Sequence, residues 1–244
     1  MTFIDEYKGD KAVEAHGNTK LHVIHTNDKK QMAISLAQYE RHLSLQRHKI
    51  VGIDLEYDNE PKATQKSALC QLSIGKNQPV LLFQMSASER CTVFDNFLAD
   101  PRYTGFSIDG DKTRLERVKL EVTNFVDIQK EWRVPEATKA LDSPGDVSGM
   151  LIDDYYNNMK KKITDDLHKR WATLPLSMRH IEYAVKDAYA AYDISPSPRT
   201  AFAVQSWRRR SPPRSALGAA GDGKSLTSEE EDGAGQEPTM PASF

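Results

Sequence analysis

Long apolar runs are missing from this sequence. Nowhere does it approach the ~18–20 consecutive apolar residues that crossing a bilayer requires, so no membrane span is expected. The opening Met1-Thr-Phe-Ile-Asp-Glu-Tyr-Lys8 is acidic and lacks the apolar core of a secretory signal. That points to an intracellular protein, in cytoplasm, nucleus or both. Cysteine is scarce: Cys70 and Cys91 are the only two. Neither stands in a CxxC or Cys/His spacing, which excludes a thiolate metal site of that kind and fits a reducing compartment. Charge of one sign is also in short supply. With 33 Lys and Arg against 35 Asp and Glu, the 244 residues carry a net charge of −2. No overall basic footprint for nucleic acid exists, and such a partner must be held locally or through metal ions. At 39% hydrophobic and 28% charged residues, wholesale disorder and fibrous repeats are excluded. The length suits one large domain, or one domain and a tail. No internal repeat is visible.

Composition changes near residue 195. Residues 195–244 hold six of the 12 prolines and five of the 13 glycines, with an Arg-rich run (Trp207 to Arg214) and an acidic run (Glu229-Glu-Glu-Asp232). Such a segment cannot bury enough apolar surface to offset its ordering entropy, so it is expected to be a disordered tail. The basic run could serve nuclear import or RNA contact, or be a plain solvated stretch. The expected division is a folded domain over 1–194 and a low-complexity tail over 195–244.

Within 1–194, strand-like and helical patterns alternate. Leu21–His25 reads as a strand after a hairpin turn at His16–Thr19. Asn27-Asp28 can cap a helix reaching about Leu45. Ile50-Val-Gly-Ile-Asp-Leu-Glu-Tyr57 is apolar enough for a central strand. Ala68–Ile74 and Pro79–Phe83 follow as strands, then a helix from Ser88 through Phe97. Tyr103–Ile108 predicts a strand, Asp109 to about Leu120 a helix, and Asn124–Ile128 the last strand. Helices are expected over Val147–Asn157, Thr164–Trp171 and Ser177–Asp193. This order implies an α/β domain, a mixed β-sheet flanked by α-helices.

Four carboxylates in three separated places are the most informative feature. Asp54 and Glu56 lie two apart on the central strand and so share one face of it. Charges beside a core strand are costly unless paired or metal-bound, although an Asp-x-Glu at a strand end can also reach solvent. Asp111 falls in the first turn of a helix that follows a strand, where capping is an ordinary role. Tyr183 and Asp187 are four apart on one helix face; by themselves they could be a core edge and a solvated charge. Ser177 is a plausible N-cap for that helix.

Together, Asp-x-Glu on a strand, Asp at a strand-to-helix junction and Tyr-x-x-x-Asp on a late helix resemble the DEDD-type 3′–5′ exonucleases, whose fold is DnaQ-like or ribonuclease-H-like. The likeness covers roughly residues 20–193. It is greatest to the branch of RNase D and the Werner syndrome exonuclease domain, with support from Ala68-Leu-Cys-Gln-Leu72 and the run from Trp171-Ala-Thr-Leu-Pro-Leu-Ser177 to Asp187-Ala-Tyr-Ala190. The His subtype places its base five residues before the Asp. Here that position is Glu182, and Tyr183 stands four before, as in the Tyr subtype.

The resemblance implies a ribonuclease-H-like fold and two divalent ions, Mg²⁺ or Mn²⁺. Asp54 would bridge both, Glu56 and Asp187 would complete the first site, and Asp111 would hold the second ion through water. Tyr183 would orient the attacking water with help from Glu56. Two ions ~3.5–4 Å apart can activate a water and stabilise both the phosphorane charge and the leaving oxygen, and carboxylates suit such hard cations. The implied partner is the 3′ end of single-stranded RNA or DNA, with no membrane and with homo-oligomerisation left open. Lys62, Lys66, Lys112, Arg114 and Lys160–Lys162 could touch the phosphate backbone, while Tyr57, Tyr155 and Tyr156 could stack on bases or simply pack. A binding module that kept the fold without catalysis is the alternative. The short helix end, where Asp193-Ile194 meets Ser195-Pro196, is a departure from the family pattern that could destabilise the domain. The lack of a helicase or HRDC-like extension suggests a free-standing exonuclease domain similar to small plant members of the branch.

Overall fold

The computed structural model describes residues 1–57, 65–132, 143–157 and 168–194. The strand that carries the first two acids, β5 (Ile50–Tyr57), lies beside the middle of the sheet. Alternation sends Val51, Ile53 and Leu55 into one core and leaves Gly52, Asp54 and Glu56 on the opposite face. β6 (Ser67–Ser73) pairs antiparallel with it, with a register shift between Glu56 and Tyr57. Every residue of β6 is buried, because helices cover both faces of the sheet. β7 (Val80–Phe83), β4 (Val23–Thr26) and β1 (Ile4–Tyr7) continue the sheet on one side, and β8 (Thr104–Ser107) and β9 (Phe125–Asp127) on the other. The order is β1-β4-β7-β6-β5-β8-β9, mixed in sense as expected. A hairpin of β2 (Val13–Glu14) and β3 (Lys20–Leu21) stands apart, turning through His16–Asn18.

On one face lie α1 (Lys29–Ser44), α2 (Thr92–Ala99) and α3 (Asp109–Arg117). The Asp28 carboxylate accepts from the backbone of Lys30 at 2.7 Å and caps α1. Met32, Leu36, Tyr39 and Leu43 then recur at helical spacing and are buried. On the other face lie α4 (Ile128–Glu131), α5 (Pro144–Leu151) and α6 (Met178–Asp193). α6 packs Ile181, Ala184, Val185 and Ala188 onto Leu69 and Leu82, with Trp171 fully buried beside them. Gly52 makes that contact possible. A Cβ there would stand 2.3 Å from the Ala188 carbonyl oxygen and 2.4 Å from the Tyr192 backbone nitrogen, so only glycine lets helix and strand come so close. Among the described residues no helix is long and apolar enough to cross a membrane.

Several boundaries differ from expectation for local reasons. β1 was not anticipated: Ile4-Asp-Glu-Tyr7 is a mostly exposed edge strand without an apolar stripe. α2 starts at Thr92, because a 3₁₀ turn at Met85–Ala87 comes first. α3 ends at Arg117, and Lys119 at φ 61° breaks helical geometry before Leu120. α5 begins earlier than predicted, at Pro144, and ends at Leu151. Ser143 and Asp146 form a reciprocal capping box in front of it, at 3.2 and 3.0 Å. The helix expected over Thr164–Trp171 falls largely outside the described residues, as do Lys62, Lys160–Lys162 and the whole 195–244 tail.

Replacing Gly52 with Ala sets a methyl group against backbone that cannot rotate away. Urea denaturation of Gly52→Ala is expected to show a loss of about 1–3 kcal/mol or more, as for other overpacked cores. A change within ±0.5 kcal/mol would contradict the tight approach of α6 to β5.

Candidate active site

The five side chains named from sequence converge on one cavity. Asp54 and Glu56 point from β5 toward α6, and Tyr183 and Asp187 point back one helical turn apart. One carboxylate oxygen from each of Asp54, Glu56 and Asp187 lies within 4.8 Å of the other two. Glu56 is 8% exposed, and Asp54 and Asp187 are half-buried. Tyr183 is 6% exposed and hydrogen-bonds Asp187. Ser177 stands as expected at the N-cap of α6, its backbone N–H 3.3 Å from His180 Nδ1.

Asp111 occupies the first turn of α3 and is 3% exposed. It stands apart from the three-carboxylate group but lines the same cavity. Ser107 donates its hydroxyl to Asp111 Oδ2 at 2.8 Å, and Tyr57 donates to Oδ1. The cavity measures about 320 Å³ and is walled by aliphatic groups such as Ile53, Leu55, Ile108 and Ile128. Four carboxylates around such a space repel strongly. One pair of unit charges at ~4 Å costs about 4 kcal/mol at an effective dielectric of 20.

The neighbouring phenols register this charge. Burial pushes the Tyr183 pKa far above its ordinary value, and the charges of Asp187, Glu56 and Asp54 push it further. Burial does the same at Tyr57, followed by Asp111. Both hydroxyls are therefore protonated donors at neutral pH. Cys70 is buried behind the strand, and burial with the charges of Asp54 and Asp111 raises its thiol pKa, so it is an inert core residue. The donor set, three carboxylates at close range without a thiolate or imidazole among them, fits a hard divalent cation.

Some residues gain a different place from the one sequence suggested. Tyr57 is no free stacking platform: its hydroxyl serves Asp111, and the Arg114 guanidinium covers its ring at 4.1 Å. Tyr156 is packing too, 1% exposed and bonded to His16 at 2.9 Å. Lys112 leans on Phe125 at 5.3 Å and is not among the residues lining the cavity. Two residues were missed. His168 lines the cavity with its ring edge-on to Tyr183 at 5.1 Å. Gln71 faces Asp54 across the β5–β6 register and is fully buried. The signal for it lay in the Ala68-Leu-Cys-Gln-Leu72 run, where it stands one residue past the middle of β6.

A family model described as 3′–5′ exonuclease matches residues 32–197. Among solved structures, Escherichia coli RNase D, an exoribonuclease involved in structured RNA processing, superposes with a TM-score of 0.52 at 18% identity, over 75% of this chain and 45% of its own. The catalytic core of RRP6 from Trypanosoma brucei gives 0.50 at 11% identity, over 83% and 55%. Trypanosoma brucei RNase D, solved with GMP, gives 0.50 at 15% identity, over 74% and 59%. At such identities the likeness is one of fold, and the chain spans only about half the length of these proteins. No curated protein matches the sequence. The family match takes in about two thirds of the chain, from α1 past the end of α6, and includes all five converging side chains. The chain belongs to the 3′–5′ exonuclease family, in the RNase D-like form of its fold.

Proposed function

We propose that residues 1–194 form a divalent-metal-dependent exonuclease that removes nucleotides from the 3′ end of single-stranded RNA or DNA. The observation that carries this reading is the close grouping of Asp54, Glu56 and Asp187 beside Tyr183, in a chain of the 3′–5′ exonuclease family. Asp54, Glu56 and Asp187 would hold one Mg²⁺ or Mn²⁺, and Asp111 a second, through water, from across the cavity. Such a pair supplies an acidified water and neutralises charge on the phosphate and the leaving oxygen.

The chain's own groups do the positioning. Tyr183 stays protonated, which suits a donor that orients the attacking water and makes it a poor base at pH 7. Glu56, held next to it on β5, is placed to take the water's proton. Tyr57 and Ser107 fix both oxygens of Asp111. The aliphatic walls offer an apolar seat for a terminal base. A volume of about 320 Å³ suits one nucleotide rather than a duplex. A monophosphate is the product such a cut would release, and T. brucei RNase D was solved with one, GMP.

Labelled single strands incubated with Mg²⁺ or Mn²⁺ should shorten stepwise from the 3′ end, and EDTA should stop the reaction. Asp54→Ala and Asp187→Ala should each abolish shortening while the circular dichroism spectrum stays native. Activity surviving in either purified variant would overturn the assignment. Tyr183→Phe should be milder, lowering kcat by about 10²–10⁴.

Metal should also stabilise the fold. At 100 times the dissociation constant, Mg²⁺ or Mn²⁺ should add about 2.7 kcal/mol to unfolding, with Asp187→Asn removing most of the gain in a thermal melt. The phenols predict a pH dependence of the opposite end of the scale. Their folded pKa values lie above the ordinary value of 10, so their contribution is intact below pH ~10 and drains as pH rises toward the folded values. Urea unfolding followed from pH 8 upward should show stability falling above pH ~10. Each such tyrosine contributes up to about 1.4 kcal/mol per pH unit, and Tyr183→Phe should make the decline shallower.

A further inference from the structure

We propose that Arg114 grips a backbone phosphate of the substrate strand, at a linkage 5′ of the one that is cut. This deepens the exonuclease reading and rests on it. Among the described residues that line the cavity, Arg114 is the only Lys or Arg, set among Asp54, Glu56, Asp111 and Asp187. A strand that brings its own negative charge to those acids needs a fixed positive group at the wall as well as cations on the carboxylates.

The side chain is oriented in advance. Its guanidinium carbon lies 4.1 Å from the centre of the Tyr57 ring. Nη1 donates to the Gly110 carbonyl, one turn back on α3, at 2.9 Å. Glycine at 110 leaves that path open, since a Cβ there would lie 3.0 Å from Nη1. A purely structural arginine at this spot would bridge to Asp111, three residues earlier on the same helix. It does not. Hydroxyls from Tyr57 and Ser107 take the Asp111 oxygens instead. Of the five N–H donors of a guanidinium, Arg114 spends one on Gly110, and its buried Nε has no hydrogen-bond partner among the described residues.

The geometry also selects the ligand. One face of the guanidinium is covered by Tyr57, and most of its N–H donors stay available at its edge. Tyr57 fixes the plane of the group, and edge donors in a planar fork match phosphate oxygens. Because Arg114 sits on α3, with the Asp54–Glu56–Asp187 group on β5 and α6, the phosphate it meets is a neighbour of the scissile one.

The test combines Arg114→Gln and Arg114→Lys, in the full chain, with a scan of the substrate. Single neutral methylphosphonates replace, one at a time, the linkages 5′ of the terminal one. On unmodified strands Arg114→Gln should lower kcat/KM about 10- to 100-fold, the range of one charge-assisted hydrogen bond, mainly through KM. Arg114→Lys should recover part of the loss. At one linkage the methylphosphonate should cost the wild type the same factor and cost Arg114→Gln nothing more. If the two losses multiply at every linkage, the proposal is overturned. Binding of the same labelled strands with Ca²⁺ in place of the catalytic ion gives an arm that needs no turnover. There the slope of log K against log salt should fall by about 0.7 in Arg114→Gln, one phosphate contact on a single strand, and an unchanged slope would also overturn the proposal. Should the wild type bind strands but shorten none, the exonuclease reading fails while the salt slope still decides the role of Arg114.

Discussion

Like charges held together in a place with little water are the constraint around which this molecule is organised. Asp54, Glu56 and Asp187 bring carboxylate oxygens within 4.8 Å of one another only because α6 lies almost on the backbone of β5. That approach requires a residue without a side chain at position 52. Gly52, Asp54 and Glu56 occupy one face of one strand. The same alternation that clears room for the helix therefore aims the two acids at it. The other face of the strand, Val51, Ile53 and Leu55, is committed to the main core, so the register cannot slip without burying the acids in hydrocarbon.

Hydroxyl donors make this arrangement tolerable. Asp187 has the phenol of Tyr183, and Asp111 has the phenol of Tyr57 and the hydroxyl of Ser107. Tyr183 shares a helix with its acid, while Tyr57 and Ser107 reach Asp111 from two strands, and the shift of register between Glu56 and Tyr57 lies just where the strand changes from presenting acids to presenting a donor. A neutral donor lowers the cost of a buried carboxylate without cancelling its charge. Affinity for a cation therefore survives, where a lysine or arginine bridge would have quenched it.

Much of this was legible in the sequence because strand alternation and helical spacing are strictly local. The pairing of Asp54 with Glu56, and of Tyr183 with Asp187, needed only periods of two and of 3.6. β5 itself, α1 with its Asp28 cap, and α6 with Ser177 at its start were bounded to within a residue or so for the same reason. What could not be read depends on chain segments far apart. That Tyr57 would meet Asp111, 54 residues on, follows from the parallel pairing of β5 with β8, which no local pattern encodes. Gly52 looked like one small residue in an apolar strand until the helix lying over it was known. The start of α5 was legible and overlooked: Ser143-Pro144-Gly145-Asp146 is a capping signature, but the apolar pattern begins only at Val147.

The end of α6 bears most directly on whether the site is rigid. A helix that stops where Ser195-Pro196 begins could have frayed back into the residues that matter. Instead α6 runs through Asp193, and Ile194, its C-cap, is fully buried against the group formed by Ile50, Phe106, Ile128 and Val147. Asp187 lies six residues, more than one and a half turns, inside that end, and Tyr183 lies a further turn in. At the other end, Gln84 donates to the carbonyl of Trp171 at 2.8 Å and ties the segment leading to α6 to the sheet. The helix that supplies Tyr183 and Asp187 is thus fastened by buried contacts before and after its functional turns.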